Sequence, residues 1–293
     1  VQEKSESNLN IAIIGLGLMG GSLAYALRGS RAFSGFRDAS IIGYDASNEI
    51  LSQALQYGAI DIAAASLSEA VADADLTIFC TFPDAIAADM QESADCFKDG
   101  AVISDICGVK GEIFKLIDAL KPSGVEYISM HPMAGKECGG FANADGSLFK
   151  GAGFIITPPP DYSESALALI FDLCEYVGAG RICINEADEH DSIIGYTSDL
   201  MHIAATALCQ DFPENMTMAH TAGAFRDCTR IAMIDAALWT DLLTKNAGHI
   251  IPHIDKLILA LSGFSNALQN EDKAHIYSFL ERACNNKKEM MSL

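Results

Sequence analysis

The thirteen residues Ile11 to Leu23, IAIIGLGLMGGSL, constrain the fold more than any other stretch. Ile11-Ala12-Ile13-Ile14 is a short apolar run that reads as a buried strand. Gly15-Leu16-Gly17-Leu18-Met19-Gly20 follows without a spacer, and a helical pattern then runs through Arg28. Strand, G-x-G-x-x-G, helix is the opening of a dinucleotide-binding β-α-β unit. Gly15 makes the tight turn, Gly17 lets backbone approach a pyrophosphate, and Gly20 lets the helix pack close to the strand. The helix N-terminus then faces the phosphates with its amides and dipole. Alone, the motif is weakly specific. A second apolar run, Ile41-Ile42-Gly43-Tyr44, ends in Asp45, at the spacing where a carboxylate accepts ribose hydroxyls. A carboxylate there repels a 2′-phosphate, and Ala46-Ser47-Asn48 brings no arginine to receive one. The expected cofactor is NAD, held by Gly15, Leu16, Gly17, Leu18, Met19, Gly20 and Asp45.

Strand and helix signals alternate after this unit. Leu76 to Cys80 reads as a strand that ends at Thr81-Phe82-Pro83, and its carboxyl end points at the nicotinamide side, adding Thr81 and Phe82 to the cofactor contacts. Further strands are expected at 101–105, 125–130, 153–157 and 181–184, all in one layer. The alternation predicts a doubly wound parallel sheet of Rossmann type. From Asp188 strand signals stop. Helical patterns cover about 187–211, 216–222, 235–247, 249–270 and 272–288. The expected organisation is a disordered tail over 1–9, a dinucleotide-binding domain over 10–187 and an all-helical domain over 188–293. The last helices are apolar on broad faces, which predicts a homodimer through them.

Half of the residues are hydrophobic, enough for a sizeable core, yet no uncharged apolar run approaches the length of a membrane span. The polar segment Val1 to Asn8 lacks the hydrophobic region of a signal peptide. The formal net charge of −20 disfavours nucleic-acid or anionic-membrane partners, so a small-molecule substrate is expected. If that substrate is an anion, a few well-placed bases must hold it against the overall field. Nine scattered cysteines without a C-x-x-C fit reduced thiols in the cytoplasm better than disulfides or a metal site.

Three places carry candidate chemistry. His131, in His131-Pro132-Met133-Ala134-Gly135-Lys136-Glu137, closes an expected strand at the carboxyl edge of the sheet. A histidine there can take the proton of a hydroxyl being oxidised, or it can simply satisfy loop backbone. Ser198 and His202 share one face of a long helix, with Asp199 beside them. Their bland reading is a buried histidine satisfied by a serine or a carbonyl. Phe225-Arg226-Asp227-Cys228-Thr229-Arg230 carries two arginines on one side if helical. Either is a clamp for a carboxylate or half of a structural ion pair. Trp239 is read as core.

Taken together these stretches resemble the prephenate dehydrogenase family. The matching segments are GLGLMGGSLA at 15–24, GVKG at 108–111, HPMAGKE at 131–137, EHD at 189–191, Ser198 with His202, and FRDCTRIA at 225–232 followed by Trp239. The resemblance implies oxidative decarboxylation of prephenate to 4-hydroxyphenylpyruvate with NAD, and a helical dimerisation domain. It places the catalytic role on His131, a substrate carboxylate on Arg230, the substrate side chain on His202 and Glu137 at the pocket mouth, with Lys136 and Arg226 shaping the potential. Two departures stand out. Many relatives carry serine at Gly108, whose hydroxyl orients the histidine; Ser104, a water or backbone must substitute, or activity falls. Asp199 stands where relatives often carry histidine, and an acid there suits the amino group of arogenate, which makes arogenate dehydrogenase the alternative. An idle NAD-binding protein of this fold is the alternative from another class, and the presence of His131, His202 and Arg230 argues against it.

Overall fold

The computed structural model describes residues 9–29, 34–136 and 138–292. Residues 1–8 of the expected tail and Glu137 therefore lie outside the described residues, whereas Leu9, also expected in the tail, packs against the core and its carbonyl accepts the Ser40 amide at 2.9 Å. β1 (Asn10–Ile14), β2 (Ser40–Tyr44), β3 (Ile62–Ala63), β4 (Leu76–Phe79), β5 (Val102–Asp105) and β6 (Glu126–Tyr127) form a parallel sheet in the order β3-β2-β1-β4-β5-β6. The central strands β1 and β4 are buried along nearly their whole length because both faces are covered. Ile11 and Ile13 of β1 enter one core with Leu23, Leu27, Ile41 and Ile78. Ala12 and Ile14 enter the other with Leu67, Val71, Ile86 and Ile103. The covering helices are α1 (Leu18–Gly29), α2 (Ser34–Arg37), α3 (Asn48–Gln56), α4 (Leu67–Ala72), α5 (Pro83–Ser93), α6 (Gly111–Leu120) and α7 (Glu164–Tyr176). Strand order reverses between β1 and β4, and such a switch point opens a crevice at the carboxyl ends of the strands.

The layer is not a single sheet. β7 (Ser129–Met133), β8 (Gly153–Thr157) and β9 (Arg181–Ile184) form a separate three-stranded sheet, with β7 antiparallel to β8 and β8 parallel to β9. The run expected at 125–130 is thus two strands, and His131 lies inside β7 opposite Ile155 instead of ending a strand of the large sheet. Ile128 makes the last bond to β5, to the Ile103 carbonyl at 3.0 Å. Buried Asp105 at the end of β5 ties the turn-off. Its carboxylate accepts the hydroxyls of Tyr127 (2.6 Å) and Ser129 (2.5 Å) and the amide of Cys107 (2.8 Å). It also pairs with fully buried Lys110 at 3.1 Å, and the Lys110 ammonium donates to the Met130 carbonyl at 2.9 Å. Apolar periodicity marks both strands but cannot say which edge each one joins, and this polar knot decides it.

All described elements after β9 are helical. α8 (Ala187–Ile194) runs through a π-helical turn, Gly195–Asp199, into α9 (Leu200–Leu208). The helix expected over 216–222 is reduced to a 3-10 turn at Met218–His220. α10 (Gly223–Thr229), α11 (Ala236–Lys245), α12 (Ala247–Gln269) and α13 (Lys273–Met290) complete the chain. α12 and α13 leave Ile258, Leu259, Leu261, Leu268, Tyr277 and Leu280 exposed. Among the described residues no helix is long and apolar enough to cross a membrane.

Candidate active site

A cavity of about 660 Å³ opens where the carboxyl ends of β1 and β4 face the helices. Gly17, Leu18 and Met19 at the start of α1 form one end, with Phe82 beside them. Gly15 has φ +87° and its amide donates to the Tyr44 carbonyl at 2.8 Å. A Cβ on Gly15 would lie 2.8 Å from the Thr81 methyl, and one on Gly20 would run into the Gly15 carbonyl oxygen. Both positions are therefore closed to other residues. Gly17 is the opposite case, with no atom within 4 Å of a built Cβ. That open ground before a helix N-terminus fits a pyrophosphate. Asp45 accepts the amides of Leu16 (2.8 Å) and Ser47 (2.9 Å), one on each oxygen. It braces the glycine loop, and each oxygen keeps a lone pair for a ribose hydroxyl. Leu16 is fully buried and its amide is taken by Asp45, so it shapes the loop from below. The Thr81 hydroxyl donates to Asp89 at 3.0 Å, so Thr81 serves loop packing.

His131 lines the middle of the cavity, across from Gly108. A Cβ on Gly108 would lie 3.8 Å from His131 Nε2, so the loop leaves room for a serine there. Ser104 does not take over that role. It is fully buried on β5, away from the cavity wall, and its hydroxyl has no partner among the described residues. What holds His131 is His190: the two rings approach with Nδ1 of His131 2.9 Å from Nε2 of His190. His190 Nδ1 lies 2.8 Å from the Asp191 carboxylate, which also accepts the amides of Lys110 and Gly111 at 2.8 Å each. Burial, then Lys110 and His190, hold the His131 ring well below the usual imidazole range, so the neutral form is present near pH 7. His190 is fully buried on α8. In the sequence it stands within the matching segment EHD at 189–191 but with no role; its meaning comes from a contact 59 positions away.

The far wall is helical. His202 donates Nδ1–H to the Ser198 carbonyl at 3.0 Å, and its ring lies over Trp239 with centroids 3.8 Å apart. Trp239 is accordingly half-buried at the cavity wall and not core. Arg230, in a 3-10 turn after α10, lines the wall near His202. Arg226 is exposed and does not line the cavity. Lys136 reaches the rim, bonded to the Asn143 carbonyl at 3.1 Å and to Asp145 at 3.4 Å. Asp199 also faces the cavity, 5% exposed, with Asn246 Nδ2 donating to its Oδ2 at 2.7 Å.

Burial pushes the Asp199 carboxyl up to about 6, against the Asn246 hydrogen bond. Between about 3.9, the ordinary value, and about 6 the folded chain holds a proton that the unfolded chain has lost. Stability contributed here falls as pH rises through that window and is level above it. Asp199→Asn keeps the bond to Asn246 without the buried charge. It should stabilise the fold at pH 8 by about 1–3 kcal/mol and by little at pH 4. Thermal unfolding at the two pH values checks this; an equal gap at both would remove the charge from the explanation.

With this geometry in view, the comparisons decide the family. The family model described as "Prephenate dehydrogenase, nucleotide-binding domain" matches residues 28–183, and "Prephenate dehydrogenase, dimerization domain" matches 186–282. The chain belongs to the prephenate dehydrogenase family. A cyclohexadienyl dehydrogenase of Zymomonas mobilis is 31% identical over 269 residues, 90% of this chain and 89% of that protein. A prephenate dehydrogenase of Bacillus subtilis is 30% identical, covering 93% of this chain and 74% of that protein. The crystal structure of prephenate dehydrogenase from Aquifex aeolicus with hydroxyphenyl propionate and NAD+ superposes with a TM-score of 0.85. It is 26% identical and covers 98% of this chain and 100% of that one. As a member of the prephenate dehydrogenase family, the chain is an oxidoreductase whose cofactor is NAD.

Proposed function

We propose that the chain oxidatively decarboxylates prephenate to 4-hydroxyphenylpyruvate, with His131 as base and Arg230 as carboxylate clamp. The observation that carries this reading is one cavity lined together by His131, Arg230 and the start of the glycine-loop helix. NAD, when bound on that loop, supplies the hydride acceptor. His131 takes the proton from the ring hydroxyl as that carbon is oxidised, and loss of the ring carboxylate as CO₂ leaves an aromatic product. Arg230 and Lys136 are the cationic side chains on the cavity wall among the described residues, opposing the net charge of −20 where the dianion must sit. His202, fixed by Ser198 and backed by Trp239, presents its other ring edge to the substrate side chain. The helical part from residue 188 onward supplies this wall, and its exposed apolar faces on α12 and α13 suit a homodimer. A cytoplasmic location suits such chemistry and the free thiols.

Asp199 supports a second reading, arogenate, because a buried carboxylate on the wall can receive an ammonium. Initial rates of NADH formation with prephenate and arogenate side by side separate the two. A preference for prephenate is expected; faster turnover of arogenate overturns the first reading, and no rate with either overturns both. The cofactor assignment has its own check. Asp45→Ala should raise the KM for NAD by roughly tenfold or more, the worth of a charged hydrogen bond, with a smaller change in kcat. A parent enzyme that prefers NADP would refute the assignment.

A further inference from the structure

We propose that His190 is a positioning residue that fixes the ring tautomer of His131, leaving His131 Nε2 without a proton and turned to the cavity. The inference rests on the reading of His131 as the base. Asp191 starts the chain of reasoning. Burial pushes its carboxyl up, but the bonds from His190, Gly111 and Lys110 outweigh this and hold it below the usual range. It is ionised and can only accept. His190 Nδ1, 2.8 Å away, must therefore carry the proton and donate it. Burial also holds His190 below the ordinary imidazole range, so this ring is neutral with one N–H. Its Nε2 is then a bare acceptor. It faces His131 Nδ1 at 2.9 Å, which must be the donor. A neutral His131 with its proton on Nδ1 has its lone pair on Nε2. The other tautomer would set two lone pairs against each other in a dry site and leave a bond unmade, which strongly disfavours it.

Among the described residues, the hydrogen bond that the His131 ring makes is the one behind it, to His190. Gly108 has no side chain to offer Nε2, and Ser104 points elsewhere. Control comes from behind, through a ring that is fully buried and engaged at both nitrogens. The Asp191 carboxylate in turn accepts the amides of Lys110 and Gly111 at the start of α6, which fixes it in place.

The test is ¹⁵N NMR of ring-labelled histidines at pH 8, with kcat and both KM values, for the parent, His190→Leu, His190→Gln and His131→Asn. The parent should show several rings with a protonated Nδ1 and a bare Nε2, His190 and His202 among them, and the one that disappears in His131→Asn is assigned to His131. In His190→Leu that ring should move toward the opposite tautomer, and kcat should fall by about 10²-fold or more while both KM values stay within roughly threefold. Glutamine carries one acceptor and one donor at its tip, so His190→Gln should recover most of the lost turnover. A bare Nδ1 on His131 in the parent overturns the proposal whether or not any variant folds. So does parental kcat in His190→Leu, or a glutamine variant no better than leucine. Parental turnover in His131→Asn is a different failure: it removes the base reading itself, whatever His190 does.

Discussion

His131→Asn is expected to lower kcat by about 10²–10⁴ while the affinity for NAD stays within about twofold. Asparagine fits the space and can still hydrogen-bond, but it cannot take a proton at neutral pH. His131 sits on β7, which pairs with β8 in the small sheet and not with the strand that carries the glycine loop, so the dinucleotide end is expected to survive its loss. The size of the effect follows from what a positioned base supplies when the solvent alternative is water. Steady-state NADH formation gives the turnover, and titration of the protein's fluorescence gives NAD binding. Unchanged turnover would take His131 out of the mechanism; lost NAD binding would make it a structural residue.

The second large effect is on binding. Arg230→Ala should raise the KM for prephenate about 10- to 100-fold, with kcat changed much less. A charge-assisted bond to a carboxylate is worth about 1.5–3 kcal/mol, and each 1.4 kcal/mol is roughly a factor of ten. The protein's charge of −20 makes a local cation matter more, since the surrounding field repels the same substrate. Arg230→Lys should recover part of the loss, because a point charge replaces a planar fork. If kcat collapsed while KM held, Arg230 would be acting on the reacting carbon and not on a remote carboxylate.

The nucleotide end was open to reading because its constraints are local. A φ of +87° at Gly15, the collision behind Gly20 and the carboxylate of Asp45 all act within one β-α-β unit. The helical half was visible in outline for the same reason, since its period is written along the chain. The second sheet was hidden. Strands 153–157 and 181–184 carry the right residues for either layer, and only the Asp105 knot, spanning β5 to β7, sends the chain away from the large sheet. His190 and Trp239 were hidden likewise. Neither had a role in the sequence until a distant ring met it, at 2.9 Å in one case and as a tilted pair with centroids 3.8 Å apart in the other.

The knot has a further meaning. His131 is on one sheet and the nucleotide loop on another, so the proposed base and the cofactor loop are set by separate layers. A change at the tip of β2 can alter which dinucleotide is admitted, and a change on α9 or α11 can alter which acid is admitted. The hinge between these independent choices is the buried pairing of Asp105 with Lys110, fully buried on both sides and bonded to the carbonyl just before the base. Variation should therefore be tolerated at the edges of the cavity and refused at this joint. A designer wishing to retarget the enzyme has two separate dials and one bolt that must not be turned.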